Sequence, residues 1–219
     1  MSDVRINHES LRKFVANIFV KAGLAPDEAN IEAGVLVWAN LGGIDSHGVL
    51  RIPSYLDSID AGLMNTRPDI KTIKETPAVL FVDADRAMGP VVTTQVMNRV
   101  TEKAKSVGIG WGLLRKNTHQ GAMGYYSEMA ALEGLAGMAI VCSPPNMAPF
   151  GARAAGLHNS PIAISVPAGK RPPVTLDMAT SVAAGGKLTL ASDKVSHLAM
   201  TGPWTRKAIL RRIQKLPGY

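Results

Sequence analysis

The sequence predicts an α/β fold, and two observations carry that prediction. Apolar residues recur at helical spacing through the first third of the chain. From about residue 66 onward, short apolar runs of strand length alternate with helical stretches. In the first third, Leu11, Phe14, Val15, Ile18 and Phe19 mark one helix, with Asn7 placed to cap it and Gly23 to close it. Pro26, followed by Asp27 and Glu28, opens a second helix that runs to Gly42. Pro53 starts a third, short one that ends near Gly62. "DIKTIKE" and "AVLFVDAD" then read as strands on either side of Pro77. "GPVVTTQVMNRVTEKAKSVG" reads as a helix, "IGWGLLRK" as a strand and "GAMGYYSEMAALEG" as a helix. "LAGMAIVCS", "PIAISVPA" and "VTLDMAT" complete the set of strands. No internal repeat and no low-complexity linker interrupts the series.

Composition narrows the function classes. With 219 residues, 46% of them hydrophobic, the chain can build one large domain or two small ones with real cores. A single cysteine excludes a disulfide framework and a Cys-based zinc site, and Cys142, inside "GMAIVCS", is expected to be a buried structural thiol. "MSDVRINHES" lacks the apolar core of a signal peptide and no run reaches the length of a membrane span, so a reducing cytoplasm is the expected compartment. The net charge is +7, which by itself would suit a nucleic-acid partner. Arg206, Lys207, Arg211, Arg212 and Lys215 supply five of those charges within the final "WTRKAILRRIQKLPGY", which has no acid. The rest of the chain carries only +2, so the basicity belongs to the tail.

Three places put polar groups where an apolar element ends. The first is "GGIDSHGVLRIPSY", in which Ser46, His47, Arg51 and Tyr55 follow two glycines. If the segment from Arg51 to Tyr55 is helical, guanidinium and phenol share a face and can clamp a carboxylate. His47 titrates near neutrality and suits proton exchange with a substrate hydroxyl or carbonyl; the plainer reading is a polar turn. The second is "NTHQGAMGYY": Asn117, Thr118 and His119 lie between a strand and a helix, where α/β proteins present ligand-binding groups. There the plainer reading is a helix cap by Asn117 or Thr118. The third is the pair "SPPNMAPFG" and "LDMATSVAAGGK", whose small and hydroxyl residues suit either close approach of a ligand or a tight loop. "GIGWG" has the wrong spacing for a dinucleotide fingerprint and runs into a strand. His47, His119, His158 and His197 are scattered, so no metal site is expected.

Taken together, "GGIDSHGVLRIPSY", "NTHQGAMGYY", "CSPPNMAPFG", "NSPIAISVPA" and "LDMATSVAAGGK" resemble the malate/L-lactate dehydrogenase family of the second type, in that family's order and spacing, over residues from about 8 to 194. The resemblance implies a non-Rossmann α/β fold with a largely antiparallel sheet for the nicotinamide. It implies oxidation of 2-hydroxy acids or reduction of 2-oxo acids with NAD or NADP, and homodimers or larger oligomers. The family also contains ureidoglycolate, sulfolactate and diketogulonate oxidoreductases and cyclic-imine reductases. His47 and His119 match the family's proposed proton donor or acceptor, and Ser46, Arg51 and Tyr55 match positions facing the substrate. Ser143 and the segment Asp177, Met178, Ala179 and Thr180 match cofactor-contacting positions. Phe150 replaces the family's usual Trp in "APWG", and Asn159-Ser160-Pro161 replaces "TNP", both mild departures. The expected division is a helical segment at 1–65, an incomplete nicotinamide-binding domain at 66–194 and a tail at 195–219. The expected partner is a small carboxylate substrate, with no nucleic acid and no membrane.

After "GKLTLASDK" the resemblance stops. Read one base out of frame, the codons from Met200 onward permit "DWALDKEGNPTTDPKA", close to the family's "GWALDxxGxPTTDP" segment. A frameshift near Lys194 to Val195 is therefore expected, with the family's C-terminal part missing. The expected function is an NAD(P)-dependent oxidoreductase for a small 2-hydroxy or 2-oxo acid. Its rivals are a cyclic-imine reductase of the same family, a basic nucleic-acid binder and an inactive remnant.

Overall fold

A computed structural model describes residues 5–181. Met1–Thr180 forms one compact unit. The rest of the expected nicotinamide-binding segment, 182–194, and the expected frameshifted tail, 195–219, lie outside the described residues.

Helix α1, His8–Lys21, starts where Asn7 Oδ1 accepts the N–H groups of Glu9 and Ser10 at 3.0 and 3.1 Å. Side-chain capping of this kind satisfies donors the helix itself cannot pair. Its inner face buries Val15 and Phe19, while Phe14 points out. Helix α2, Pro26–Leu41, has Pro at its first position and acids in its first turn. It is apolar on several sides, as a helix must be when α1, α4 and α5 all pack on it. Two short 3-10 turns, Asp45–His47 and Val49–Arg51, lead into helix α3, Ile52–Asp60.

Strands β1 (Lys71–Glu75), β2 (Val79–Asp83) and β3 (Trp111–Arg115) form the first sheet in that order. β1 runs antiparallel to β2, whereas β3 runs parallel to it because helix α4, Gly89–Val107, makes the crossover. Leu80 and Val82 bury against Val96 and Val100 of α4. The alternate residues of β3, Trp111 and Leu113, stay exposed. Helix α5, Gly124–Leu132, packs on a second, antiparallel sheet of β4 (Gly137–Ile140), β5 (Ile162–Ala168) and β6 (Arg171–Met178). A run of hydroxyls ties these layers together: buried Ser127 to buried Ser165 at 2.8 Å, and Ser165 to Thr175 at 2.9 Å.

Each helix and strand expected over the described residues forms, and antiparallel pairing dominates, divided between two three-stranded sheets. Cys142 departs from expectation. It is exposed, because β4 ends at Ile140 and leaves the thiol two residues outside the sheet. Among the described residues, no helix is long and apolar enough to cross a membrane.

Candidate active site

The irregular stretch after α2 is held from behind by a residue of α2 itself. Asn40, in the last turn, donates from Nδ2 to Asp45 Oδ1 at 2.6 Å and accepts the N–H of Val49 on Oδ1 at 2.9 Å. One carboxamide therefore spans both 3-10 turns. Gly48 lies against it so closely that a Cβ there would sit inside the Asn40 side chain. Within this frame the Ser46 carbonyl accepts from Arg51 Nε at 2.7 Å, and the Ser46 hydroxyl bonds His47 Nδ1 at 2.9 Å. Arg51 thus has its Nε committed, leaving its two terminal nitrogens for another acceptor.

The second half of the site is the turn between β3 and α5. Thr118 Oγ1 accepts the N–H of Gly89, the first residue of α4, at 2.9 Å and donates to the Ala87 carbonyl at 2.8 Å. The backbone carbonyls of Thr118 and His119 press on Gly89, so no side chain fits at that position. Thr118 is a cap, but for α4; neither it nor Asn117 caps α5, which begins at Gly124 after Met123. Asn117 bonds Thr93 of α4 at 3.2 Å instead.

Between these halves stand the two histidines. Their rings stack with centroids 5.5 Å apart and planes 22° from parallel. His119 Nδ1 receives the Gly121 N–H at 3.2 Å and bonds the Tyr55 hydroxyl at 2.6 Å. A backbone N–H can only donate, so Nδ1 carries the lone pair, and neutral His119 holds its proton on Nε2. Tyr55 is 2% exposed, and its hydroxyl serves the imidazole. Its four-residue spacing from Arg51 therefore yields a support for His119 in place of the expected second arm of a carboxylate clamp.

Burial, and then the Arg51 charge, hold both imidazoles below the ordinary histidine range, His47 down to about 4. His119 is hydrogen-bonded on its Nδ1 side yet the residue is exposed, which leaves its outer edge open to a ligand. Behind the pair lies Glu32 of α2, fully buried, with neither carboxyl oxygen hydrogen-bonded; burial pushes it up to about 8.

Ser46, His47, Arg51, Tyr55 and His119 are thus brought together. The residues matched to cofactor contacts are not joined to them by hydrogen bonds or ring contacts. Asp177, in β6, accepts the Gly124 N–H on Oδ2 at 2.7 Å. Thr180 bonds the Asn159 carbonyl through both its N–H and its hydroxyl at 2.9 Å. Met178 ends β6 exposed, with the smaller Ala179 beside it. Ser143 lies exposed in the loop after β4. The fit to a nicotinamide is partial: Ser143 and Ala179 border open surface, while Asp177 and Thr180 already have partners. Asn40, Gly48 and Glu32 escaped the sequence reading. For Asn40 the signal was an amide one turn before a Gly-Gly helix end, with Asp45 five residues on.

Two facing neutral imidazoles beside a guanidinium have the chemistry to exchange a proton next to an anion. The chain belongs to the malate/L-lactate dehydrogenase family, whose description matches residues 6–201. It is 40% identical over 185 residues to a malate dehydrogenase of Pyrococcus horikoshii, covering 84% of this chain and 51% of that protein. The solved structure of the P. horikoshii enzyme superposes with a TM-score of 0.82, over 84% of this chain and 53% of that one. An L-sulfolactate dehydrogenase of Methanocaldococcus jannaschii is 39% identical, covering 85% of this chain and 54% of that protein; a solved sulfolactate dehydrogenase structure from that organism gives a TM-score of 0.80. A ureidoglycolate dehydrogenase (NAD(+)) of Escherichia coli O157:H7 is 32% identical, covering 92% and 57%. The chain spans about half the length of the curated relatives it matches.

Two outcomes follow from this geometry. Gly48→Ala should cost about 1–3 kcal/mol in urea unfolding, because the methyl group displaces the Asn40 carboxamide and strands its partners. In an Asn40→Ala background the same change should cost clearly less; equal costs would dissociate Gly48 from Asn40. Stability should also peak near pH 6.5. Lowered histidines give stability that is present above their unfolded value of 6.5 and lost as pH falls toward 4. Raised Glu32 gives stability that is present below 4.5 and lost as pH rises through about 8. His47→Asn should flatten the acid limb alone, whereas Glu32→Gln should remove the alkaline limb and steepen the acid limb between about pH 4.5 and 6.5; limbs indifferent to these changes would reject the assignment.

Proposed function

We propose that this chain carries the proton-transfer and carboxylate-binding half of an NAD- or NADP-dependent dehydrogenase for a small 2-hydroxy acid and its 2-oxo counterpart. The observation that carries the reading is the fixed Nε2–H tautomer of His119, its outer edge open and its ring stacked on His47 beside Arg51. A nicotinamide, when bound, supplies or takes the hydride at C2 of the substrate. Everything else falls to side chains. In reduction the C2 oxygen develops negative charge, and the Nε2–H of His119 is a donor suited to meet it. In oxidation that nitrogen already carries its proton, so the hydroxyl proton passes to the lone-pair nitrogen of neutral His47. The terminal nitrogens of Arg51 take the substrate carboxylate, a charge-assisted contact that also fixes the distance between C2 and the imidazoles. His47, with its Nδ1 on the Ser46 hydroxyl, stacks on the His119 ring and is the second group able to exchange a proton there.

Family membership supports a hydroxy-acid dehydrogenase, and the curated relatives named above act on malate, sulfolactate or ureidoglycolate by their names. On this reading the enzyme works in the cytoplasm as a homodimer or larger assembly. Ser143 and Ala179 are the residues best placed to border a nicotinamide, because among the described residues neither side chain has a hydrogen-bond partner.

The test is a panel of 2-oxo acids screened with NADH and with NADPH for loss of nicotinamide absorbance. At least one pair should turn over, and His119→Ala should then lower kcat about 10²–10⁴-fold with cofactor affinity nearly unchanged. A panel with no turnover and no NADH or NADPH binding would defeat the reading, as would wild-type kcat in His119→Ala.

A further inference from the structure

The second sheet packs one of its faces and leaves the other bare. Contacts with α5 identify the inner face: Ser165 bonds Ser127, and Asp177 accepts the Gly124 N–H. Ala139 and Ala163 pack in the same layer beside Met123 and Tyr126. Side chains alternate along a strand, so the residues between these point the other way. On the central strand, β5, they are Ile162, Ile164 and Val166. The register sets Ile140 and Met138 of β4 beside the first two, and Met178, Leu176 and Val174 of β6 beside all three.

The outer face is therefore apolar across all three strands, with no charge and no hydroxyl among its eight side chains. The central Ile162 and Ile164 are half-buried; the other six are between 41% and 64% exposed. The first sheet is different. Its outer face carries Trp111 and Leu113, but the Arg115 guanidinium lies 5.7 Å from the Phe81 ring centre and pairs with Asp83, which breaks the apolar surface with charge. Half-exposed side chains of this number and size leave on the order of 600 Å² bare, the upper end of what a monomer shows in one patch. A flat face without polar anchors does not suit a small ligand, which needs a concave site and a few convergent polar groups. Without charge it offers nothing to a nucleic acid or to a strongly charged protein. What fits it is a second flat apolar sheet, stacked about 10 Å away with interdigitating side chains. The chain itself carries such a sheet.

We propose that the outer face of β4, β5 and β6 pairs with the same face of a second copy, forming a two-fold dimer centred on Ile164. Ile164 stands in the middle row of the middle strand, so an axis there gives every side chain of the face a counterpart on the other copy. Two such faces closed on each other remove about 1,200 Å² from water, which reaches the range of specific, stable interfaces. Depletion of charge is also the mark of an interface core. Ser143 and Ala179 follow Ile140 and Met178 beyond the ends of their strands, at the rim of the face. The dimer gives a surface to the assembly proposed above. It also braces β6, the strand whose Asp177 holds the head of α5.

The experiment is analytical ultracentrifugation of the full 219-residue chain at about 1–100 μM, a span that covers the weak end expected of an interface this size. The wild type should reach the mass of two chains. Val174→Lys and Leu176→Lys set like charges into the face and should each weaken dimerisation tenfold or more. Leu113→Lys, similarly exposed on the first sheet, should leave it unchanged. Circular dichroism melts check each fold, and if Leu176→Lys fails, Val174→Lys, at the most exposed position of the face, decides. A wild type that stays monomeric would overturn the proposal and leave the face to a segment of this chain or to another protein. A dimer indifferent to both face lysines would overturn it too, as would one disrupted equally by Leu113→Lys. So would a mass that climbs past two chains without limit, because a face paired with itself is closed. The measurement needs no turnover: a dimer that ignores the lysines keeps the assembly and loses this surface, and every outcome leaves the dehydrogenase chemistry to its own test.

Discussion

The hydrogen bond between the Tyr55 hydroxyl and His119 Nδ1, 2.6 Å long and spanning 64 residues, is the contact on which the site depends. Both of its ends are fixed independently. Tyr55 is locked in the core formed by α1, α2 and α3, while His119 rides on a turn that Thr118 clamps to the head of α4. Without the bond, a buried phenol would lose its partner, at a cost of about 1–3 kcal/mol, and the imidazole would be left with the weaker 3.2 Å contact from the Gly121 N–H and its stacking on His47. With it, the face of His119 that meets His47, the tautomer and the open Nε2 edge are all set at once.

Helix α2 is the spine that makes these separate clamps agree. Asn40 at its end shapes the two 3-10 turns, Val35 abuts the turn at Gly121, and Glu32 lies behind the phenol. Trp38 reaches across to Glu128 of α5 at 3.1 Å. A helix wrapped by α1, α4 and α5 has little freedom to tilt, so distances built from opposite sides of it stay constant. Electrostatics works in the same direction. Burial keeps both histidines neutral and favours the acid form of Glu32, so Arg51 is the positive group of the described cluster. An anion at this place would therefore meet a cation with little competition nearby, in surroundings that weaken its charge less than water would.

The sequence made some of this legible and hid the rest for identifiable reasons. Local signals were reliable: Asn7 as a cap, Pro26 as a helix start, and the polar cluster after Gly42 and Gly43 all depend on near neighbours in the chain. His47 and His119 were each visible as polar residues at the ends of apolar elements, but their stacking is a tertiary fact that spacing does not encode. Thr118 was read as a capping residue and assigned to the wrong helix, because the N–H it accepts, that of Gly89, lies 29 residues earlier. The i, i+4 relation of Arg51 and Tyr55 promised a shared face. Arg51, however, ends a 3-10 turn and is drawn back to the Ser46 carbonyl, while Tyr55 faces the core. Glu32 sits at a core position of α2 where the pattern calls for an apolar residue, which is the kind of local conflict that marks a functional or strained site.

One link joins the part of the chain matched to cofactor contact with the turn that carries His119. Asp177, on β6, accepts the N–H of Gly124 at the start of α5, where a negative charge is favoured by the helix dipole. Its burial raises its pKa and that N–H bond lowers it, so ionisation and docking of the strand to the helix reinforce each other. His119 precedes Gly124 by five residues, on the turn whose position α5 fixes through Tyr126 and the Gln120 carbonyl. The strand end at Met178 to Thr180 and the imidazole are therefore two ends of one braced path through α5. A displacement of β6 must either break the Asp177 contact or carry the head of α5 with it, and with α5 the turn that aims His119.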